Sequence, residues 1–269
     1  MVDSRVENEV ETNRIFITGA SSGIGKALAI EYAKRGARLM LVARRESELE
    51  AVVQECQEYL KPQSVAWCVV DVRNMNELDT AVEKAVQSFG GLDILIANAG
   101  FGIAGKFEEL DIKDYQKQFE TNVWGTLKTV CAGLKEIKRA RGRVVLVGSV
   151  MSYYSCAGQS AYAMSKFAVR AFADALRQEL KSDGVSVTLI CPGFIQTQIR
   201  QIDNSGVFRR ETKDPVPGWL MMKADRAARK IISAAGSRRR EVVVTIHGKL
   251  AVWIARFFPW VFSLIPAPE

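Results

Sequence analysis

Short apolar runs rich in β-branched residues recur along the chain, each followed by a longer stretch with helical spacing. RIFIT (Arg14–Thr18), LMLVA, VAWCVV, LDILIA, RVVLVG and VSVTLI read as strands one to six, and EVVVTI as a seventh. Between them, apolar residues three and four positions apart predict helices. These run from the glycines after the first strand to residue 34, then over 46–59, 75–89, 112–138, 162–180 and 224–235. Runs that are apolar at every position, rather than at alternate ones, suit parallel strands buried on both faces. The crossovers between such strands are right-handed. The predicted architecture is therefore α/β, a doubly wound parallel sheet between two helix layers forming a three-layer αβα sandwich. Ligands of such sheets bind beyond the carboxyl ends of the strands. The residues that follow each apolar run are thus the first place to seek chemistry.

The 269 residues suit one such domain over 13–247, with a polar N-terminal arm over 1–12 and a hydrophobic tail over 248–269. The arm, MVDSRVENEVET, has no apolar run and does not read as a signal peptide. Apolar residues make up 48% and charged ones 25%, an ordinary globular balance that argues against disorder in the body. Cys56, Cys68, Cys131, Cys156 and Cys191 are scattered with no CxxC pair, and His247 is the single histidine. That set offers no metal site and suits reduced thiols in the cytoplasm. The net charge is +7, gathered in KEIKRARGR (135–143), at Arg209 and Arg210 and at 238–240. No nucleic-acid recognition motif accompanies it, so nucleic acid is not an expected partner. Solvated helix ends, a phosphate-bearing ligand or an anionic membrane remain as readings.

After the first strand comes TGASSGIG, whose glycines are spaced Gly19, Gly23, Gly25. Glycines let a backbone turn sharply and approach a pyrophosphate, and the helix that follows offers its positive N-terminus and free amides. Gly19, Ser21, Ser22, Gly23, Ile24 and Gly25 are accordingly candidate dinucleotide contacts. The second strand ends in Ala43, Arg44 and Arg45, where NAD-binding folds commonly place a carboxylate for the adenosine ribose. Cations there suit the extra 2′-phosphate of NADP(H). Asp71, ending the third strand, is placed to hold the adenine edge with help from the Val72 amide, or else is a turn aspartate.

Tyr162 and Lys166 lie in YAMSK, where a phenol and an ammonium four positions apart share one helix face. Alone, the pair is as readily a surface contact. In company with TGASSGIG, ANAG (97–100), Asn122, Ser149 after the fifth strand and Pro192-Gly193 after the sixth, it resembles the short-chain dehydrogenase/reductase family, from Arg14 to about Ile246. The resemblance implies a single Rossmann-type domain and an NADP(H)-preferring oxidoreductase acting on CH–OH groups. It implies four catalytic residues, Asn122, Ser149, Tyr162 and Lys166. Tyr162 is then the proton donor, and Ser149 binds the substrate oxygen. Lys166 favours the phenolate and holds the cofactor ribose, while Asn122 anchors a relay water. Asn98, Ala99, Gly100, Pro192, Gly193 and Ile195 become cofactor contacts, and Thr197 meets the nicotinamide carboxamide.

Met151, Tyr153, Tyr154, Phe194 and Ile199 flank these positions and are expected on the substrate side, with Ser149, Met151, Tyr154 and Phe194 as contacts. Their apolar character suggests a lipophilic carbonyl or alcohol, steroid-, retinoid- or long-chain-like. The polar stretch 196–218 stands where a substrate lid is expected. The tail, HGKLAVWIARFFPWVFSLIPAPE, is too short and too broken by Arg256 and Pro259 to span a membrane. A subunit interface, a flap over the cleft and a membrane surface remain as its readings. The expected protein is a homodimer or homotetramer paired through the helices bearing Asn122 and Tyr162, cytoplasmic and, by one reading, membrane-peripheral. The rival readings are a 3-oxoacyl-[acyl-carrier-protein] reductase, docked by 138–143 and Arg177, and a non-catalytic NADP-binding protein.

Overall fold

All seven apolar runs enter one parallel sheet. The computed structural model describes residues 13–197 and 216–264. Its strands are β1 (Arg14–Thr18), β2 (Arg38–Ala43), β3 (Val65–Val69), β4 (Ile94–Ala97), β5 (Arg143–Val147), β6 (Ser186–Cys191) and β7 (Glu241–Val243). They lie in the order β3-β2-β1-β4-β5-β6-β7. The helices are α1 (Gly23–Ala33), α2 (Glu46–Gln57), α3 (Met75–Phe89), α4 (Ile112–Phe119), α5 (Gly125–Arg139), α6 (Ser160–Glu179), α7 (Ala224–Gly236) and α8 (Ile246–Phe257).

Strand pleating explains how one run of apolar residues serves two helix layers. Side chains alternate between faces, so Ile15 and Ile17 of β1 join the cluster that holds Leu28, Leu49 and Ile231. Phe16, between them, joins the opposite cluster with Leu78, Val130 and Val169. The first cluster belongs to α1, α2 and α7, the second to α3, α5 and α6. The expected three-layer sandwich is therefore what the chain forms.

The strand order reverses between β1 and β4, so their crossovers leave toward opposite faces and open a crevice at the carboxyl ends. At the other end the two strands are clamped. Arg14 donates from its backbone amide and Nε to Asp93 Oδ2, both at 2.8 Å, and from Nη2 to Oδ1 at 2.6 Å. Burial works to raise the Asp93 carboxyl, but the Arg14 hydrogen bonds outweigh it and hold the group below its usual range.

Four details differ from the sequence expectation. VAWCVV is not buried on both faces: β3 is an edge strand, and Val69 is 46% exposed. The single helix over 112–138 is α4 and α5 joined by a π-helical turn, Glu120–Trp124. EVVVTI yields only a three-residue strand, because Thr245 caps the next helix by accepting from the Gly248 amide at 3.2 Å. The tail therefore continues as α8 and a 3-10 stretch, Pro259–Leu264, and helix α8 crosses the expected boundary at 247/248. Residues 1–12, and most of the expected lid including Ile199, lie outside the described residues.

Candidate active site

The glycine turn is built around backbone that no larger residue could occupy. Gly19 has φ +65°, and a Cβ there would come within 2.9 Å of Ala99 Cα and Asn98 Nδ2. Gly23, φ +56°, opens α1 and faces Thr197, whose Cβ and Cγ2 would be 3.3 Å from an added Cβ. Gly25 plays a different part from the one expected. It is buried beneath the turn, where a Cβ would collide with the Gly19 carbonyl and Asn98 Nδ2, so it lets helix and turn close on each other. Asn98 completes the brace, donating from Nδ2 to the Thr18 carbonyl at 2.9 Å and the Gly19 carbonyl at 3.2 Å. Ser22 stands at the N-cap of α1 without a side-chain cap bond, leaving the positive helix end toward the crevice.

A cavity of about 660 Å³ runs over the carboxyl ends of the strands. Gly19, Ser21, Ser22, Gly23 and Ile24 line one end, with Arg44, Arg45, Asp71 and Val72 beside them. Arg45 donates from Nη2 to Ser22 Oγ at 2.8 Å and Ser21 Oγ at 3.3 Å, so its charge is held over the turn. Asp71 is already engaged: Arg73 donates to its carboxylate from Nε at 3.0 Å and Nη2 at 2.6 Å. Burial works to raise the Asp71 carboxyl, and Arg73 outweighs it, holding the group below its usual range. Val72 is packed against the start of α5, where a Cβ on Gly125 would approach Val72 Cγ2 to 2.6 Å.

The middle of the cavity gathers Asn98, Ala99, Gly100, Ser149, Tyr162 and Lys166. Ser149 ends the segment after β5 and is 7% exposed; its Oγ accepts from the Met151 amide at 3.1 Å. Tyr162 and Lys166 stand on the first turns of α6, with Lys166 Nζ 5.6 Å from the phenol ring centre. Lys166 Nζ also donates to the Val147 carbonyl at 3.0 Å. Burial lowers this ammonium to about 8, opposed weakly by the Cys191 thiol, so at neutral pH it remains mostly charged.

Asn122 does not face the cavity. It sits in the π-helical turn, 1% exposed, and both amide hydrogens are spent, on the Phe101 carbonyl at 3.0 Å and Ser165 Oγ at 3.1 Å. Its Oδ1 accepts from the Phe101 amide at 3.1 Å. Ser165 Oγ in turn donates to the Tyr162 carbonyl at 2.7 Å. Asn122 thus ties the loop after β4 to the helix that bears the phenol. Gly100 fits between them, since a Cβ there would be 3.0 Å from Asn122 Oδ1 and 3.7 Å from Lys166 Nζ.

Met151, Tyr154, Pro192, Gly193, Phe194 and Ile195 also line the cavity, as does Thr197, which lies against Gly23 of the glycine turn. Tyr154 stacks on Phe262 of the tail with ring centres 4.3 Å apart, and burial raises its phenol to about 12. Sequence patterns missed Phe101, Gly102, Gln159 and Val216 in the lining, and His247 behind it. None carries a local signal. Gly102 packs on the phenol, since a Cβ there would lie 3.5 Å from Tyr162 Cδ2.

The family model for short chain dehydrogenase matches residues 13–207. The chain belongs to the short-chain dehydrogenase/reductase family: it is an oxidoreductase of the class that acts on hydroxyl groups and uses NAD(P)(H). It is 34% identical over 261 residues to an 11-beta-hydroxysteroid dehydrogenase A of Sesamum indicum, covering 93% of this chain and 74% of that one. Another protein of that name, from Arachis hypogaea, is 38% identical over 186 residues, and there the match spans only 53% of the relative. Among solved structures, an alcohol dehydrogenase from the archaeon Thermococcus sibiricus, complexed with 5-hydroxy-NADP, superposes with TM-score 0.73 at 26% identity, covering 87% of this chain and 96% of that one. The residues present fit a dinucleotide: the open N-terminal end of α1 suits a pyrophosphate, and Arg45, held at Ser21 and Ser22, suits the adenosine sugar and a phosphate on it.

The lowered Lys166 value sets a stability test. The folded protein releases this proton at about 8 and an unfolded chain at 10.5, so burial of the charge costs stability below pH 8. Relative to Lys166→Met, the cofactor-free protein should gain up to about 3 kcal/mol as pH rises between these values. Urea unfolding across that window measures the gain, and parallel curves for the two proteins would contradict it.

Proposed function

We propose that the protein is an NADPH-dependent carbonyl reductase, reversibly an alcohol dehydrogenase, acting on a lipophilic ketone or alcohol. The observation that carries this reading is the Tyr162–Lys166 pair set in the cavity wall together with Ser149. The bound dinucleotide supplies or accepts the hydride. Tyr162 gives the substrate oxygen its proton in reduction and takes it back in oxidation. A free phenol near 10 is a poor base at neutral pH. The Lys166 ammonium, held by the Val147 carbonyl, favours the phenolate. Ser149 Oγ donates to the same substrate oxygen and stabilises its developing charge. Asn122 acts from behind, fixing Phe101 and, through Ser165, the turn that carries Tyr162.

The apolar far wall supports a lipophilic substrate, as does similarity to proteins named for a hydroxysteroid activity. A ketosteroid is the first class to assay. The acyl-carrier reading loses support because two of its docking cations are engaged. Arg177 serves Asp174 and the carbonyls of Val187 and Arg240, and Lys138 pairs with Asp183 at 2.9 Å.

Arg44 and Arg45 support NADP(H) over NAD(H), since both line the cavity beside Ser21 and Ser22. For the tail, Ile246, Leu250, Trp253, Phe257, Trp260 and Leu264 recur at helical spacing and are all more than half exposed. Lys230 is lowered by burial and then by nearby Arg226 and Lys249, a group of cations that includes one from α8. Exposed Trp and Phe with cations suit the surface of an anionic membrane. Among the described residues no helix is long and apolar enough to cross one. Trp124, Met164 and Phe167, exposed on the π-helical turn and on α6, support pairing of two copies there.

Three outcomes test these readings. Tyr162→Phe should lower turnover of an 11-ketosteroid by at least about a hundredfold while NADPH affinity, read by nucleotide fluorescence, stays within a few-fold; near-normal turnover would refute the role. Arg45→Asp should weaken NADPH binding by roughly ten- to a hundredfold and leave NADH binding intact, and equal losses for both nucleotides would count against the 2′-phosphate contact. The protein should sediment with phosphatidylserine vesicles and a Trp253→Glu/Trp260→Glu variant should not, both remaining dimers by light scattering. A variant that turns monomeric would instead assign the tail to the subunit interface.

A further inference from the structure

The single histidine lies outside the four residues that carry the proposed chemistry, yet it touches the cleft wall. His247 Nε2 accepts a hydrogen bond from the Phe194 amide at 3.0 Å. The two rings stack with centres 5.2 Å apart and planes 24° from parallel. Gly193, just before, leaves room for the imidazole: a Cβ there would sit 2.7 Å from Nε2 and would collide with Thr245 Oγ1. Phe194 lines the cavity, and its carbonyl accepts from the Met222 amide at 3.0 Å.

We propose that His247 is a positioning residue for the substrate side of the cleft, holding Phe194 in place through the acceptor at Nε2 and the face of its ring. The claim rests on the carbonyl-reductase reading above and assigns that site a further part. An imidazole that accepts at Nε2 carries its hydrogen on Nδ1 and is neutral. Burial lowers its proton affinity, which keeps it in that form. His247 is itself fixed, because it sits in the first turn of α8. Thr245 caps that helix, Val252 is 5% exposed against the core, and Arg256 pairs with Glu241 at 3.0 Å and lies over the Tyr153 ring at 5.0 Å. At its far end the same segment places Phe262 on Tyr154. The tail thus grips both apolar walls, one following β5 and one following β6. His247 is the point at which it does so through a polar bond.

Two variants separate the bond from the packing. His247→Phe keeps a ring against Phe194 and removes the acceptor, whereas His247→Gln keeps an acceptor near the position of Nε2 and removes the ring. With NADPH and an 11-ketosteroid, the Phe variant should raise KM about tenfold with kcat within about threefold. The Gln variant should recover most of that loss. Reduction of cyclohexanone, too small to reach the wall, and NADPH affinity should change less than about twofold. Hydrogen exchange at the Phe194 amide should speed by about tenfold in the Phe variant and return toward wild type in the Gln variant. Unchanged KM and unchanged exchange in the Phe variant would overturn the proposal, as would equal losses in both variants. If the wild-type protein reduces neither ketone, the carbonyl-reductase reading fails, and the exchange comparison still decides whether His247 holds Phe194.

Discussion

The whole cleft hangs on a joint at the end of β1, where one hydroxyl and one amide lock two paired strands whose crossovers leave toward opposite faces. Thr18 Oγ1 accepts from the Asn98 and Ala99 amides at 3.0 and 3.1 Å and reaches the Ile96 carbonyl at 3.3 Å. Asn98 returns two bonds, to the Thr18 and Gly19 carbonyls. These groups are buried or half-buried, so each lost partner would leave a polar atom without water. The joint fixes the glycine turn on one side and the loop after β4 on the other. From that loop, Phe101 reaches Asn122, Asn122 reaches Ser165, and Ser165 reaches the turn that carries Tyr162. One chain of hydrogen bonds therefore spans the distance from the dinucleotide turn to the proton donor.

The second constraint is electrostatic. Lys166 is a cation in a mostly closed wall, satisfied by one carbonyl and an aromatic face, and its lowered proton affinity is the measure of that burial. A buried charge with so few partners is costly unless a ligand or a developing charge completes its surroundings. Nearby, the Tyr153 phenol is pushed the other way, raised strongly by burial and then by Cys191 and Glu241. It sits under the guanidinium of Arg170 at 4.0 Å and cannot ionise at working pH. Two tyrosines within one segment of fold thus take opposite parts: Tyr153 braces the tail, and Tyr162 faces the cleft with an ammonium behind it.

Hydrophobic periodicity and turn chemistry, both local, made much of this legible. The apolar runs marked the strands, and their unbroken character foretold a sheet covered on two faces. TGASSGIG, Arg44–Arg45 and YAMSK lie where the crevice opens, because parallel crossovers bring every strand's carboxyl end to one edge. What those signals could not carry is whatever depends on a distant neighbour. VAWCVV is as apolar as β2, and only the absence of a further strand beside it among the described residues makes it an edge. EVVVTI has the residues of a full strand, and only Thr245, capping α8, stops it after Val243. The π-helical turn, in which Asn122 bonds Phe101, leaves no mark in the helical spacing of 112–138.

The sequence by itself determined the sheet, its two coats, the glycine turn and the phenol–ammonium pair, since each follows from the residue types and their spacing along one element. Only the tertiary structure decided that Gly25 and Asn122 stand behind the cavity, that Asp71 is taken by Arg73, and that a histidine 53 residues away supports Phe194. Those assignments turn on distances between segments remote in the chain. Packing settles such distances, and no periodicity along the sequence encodes them.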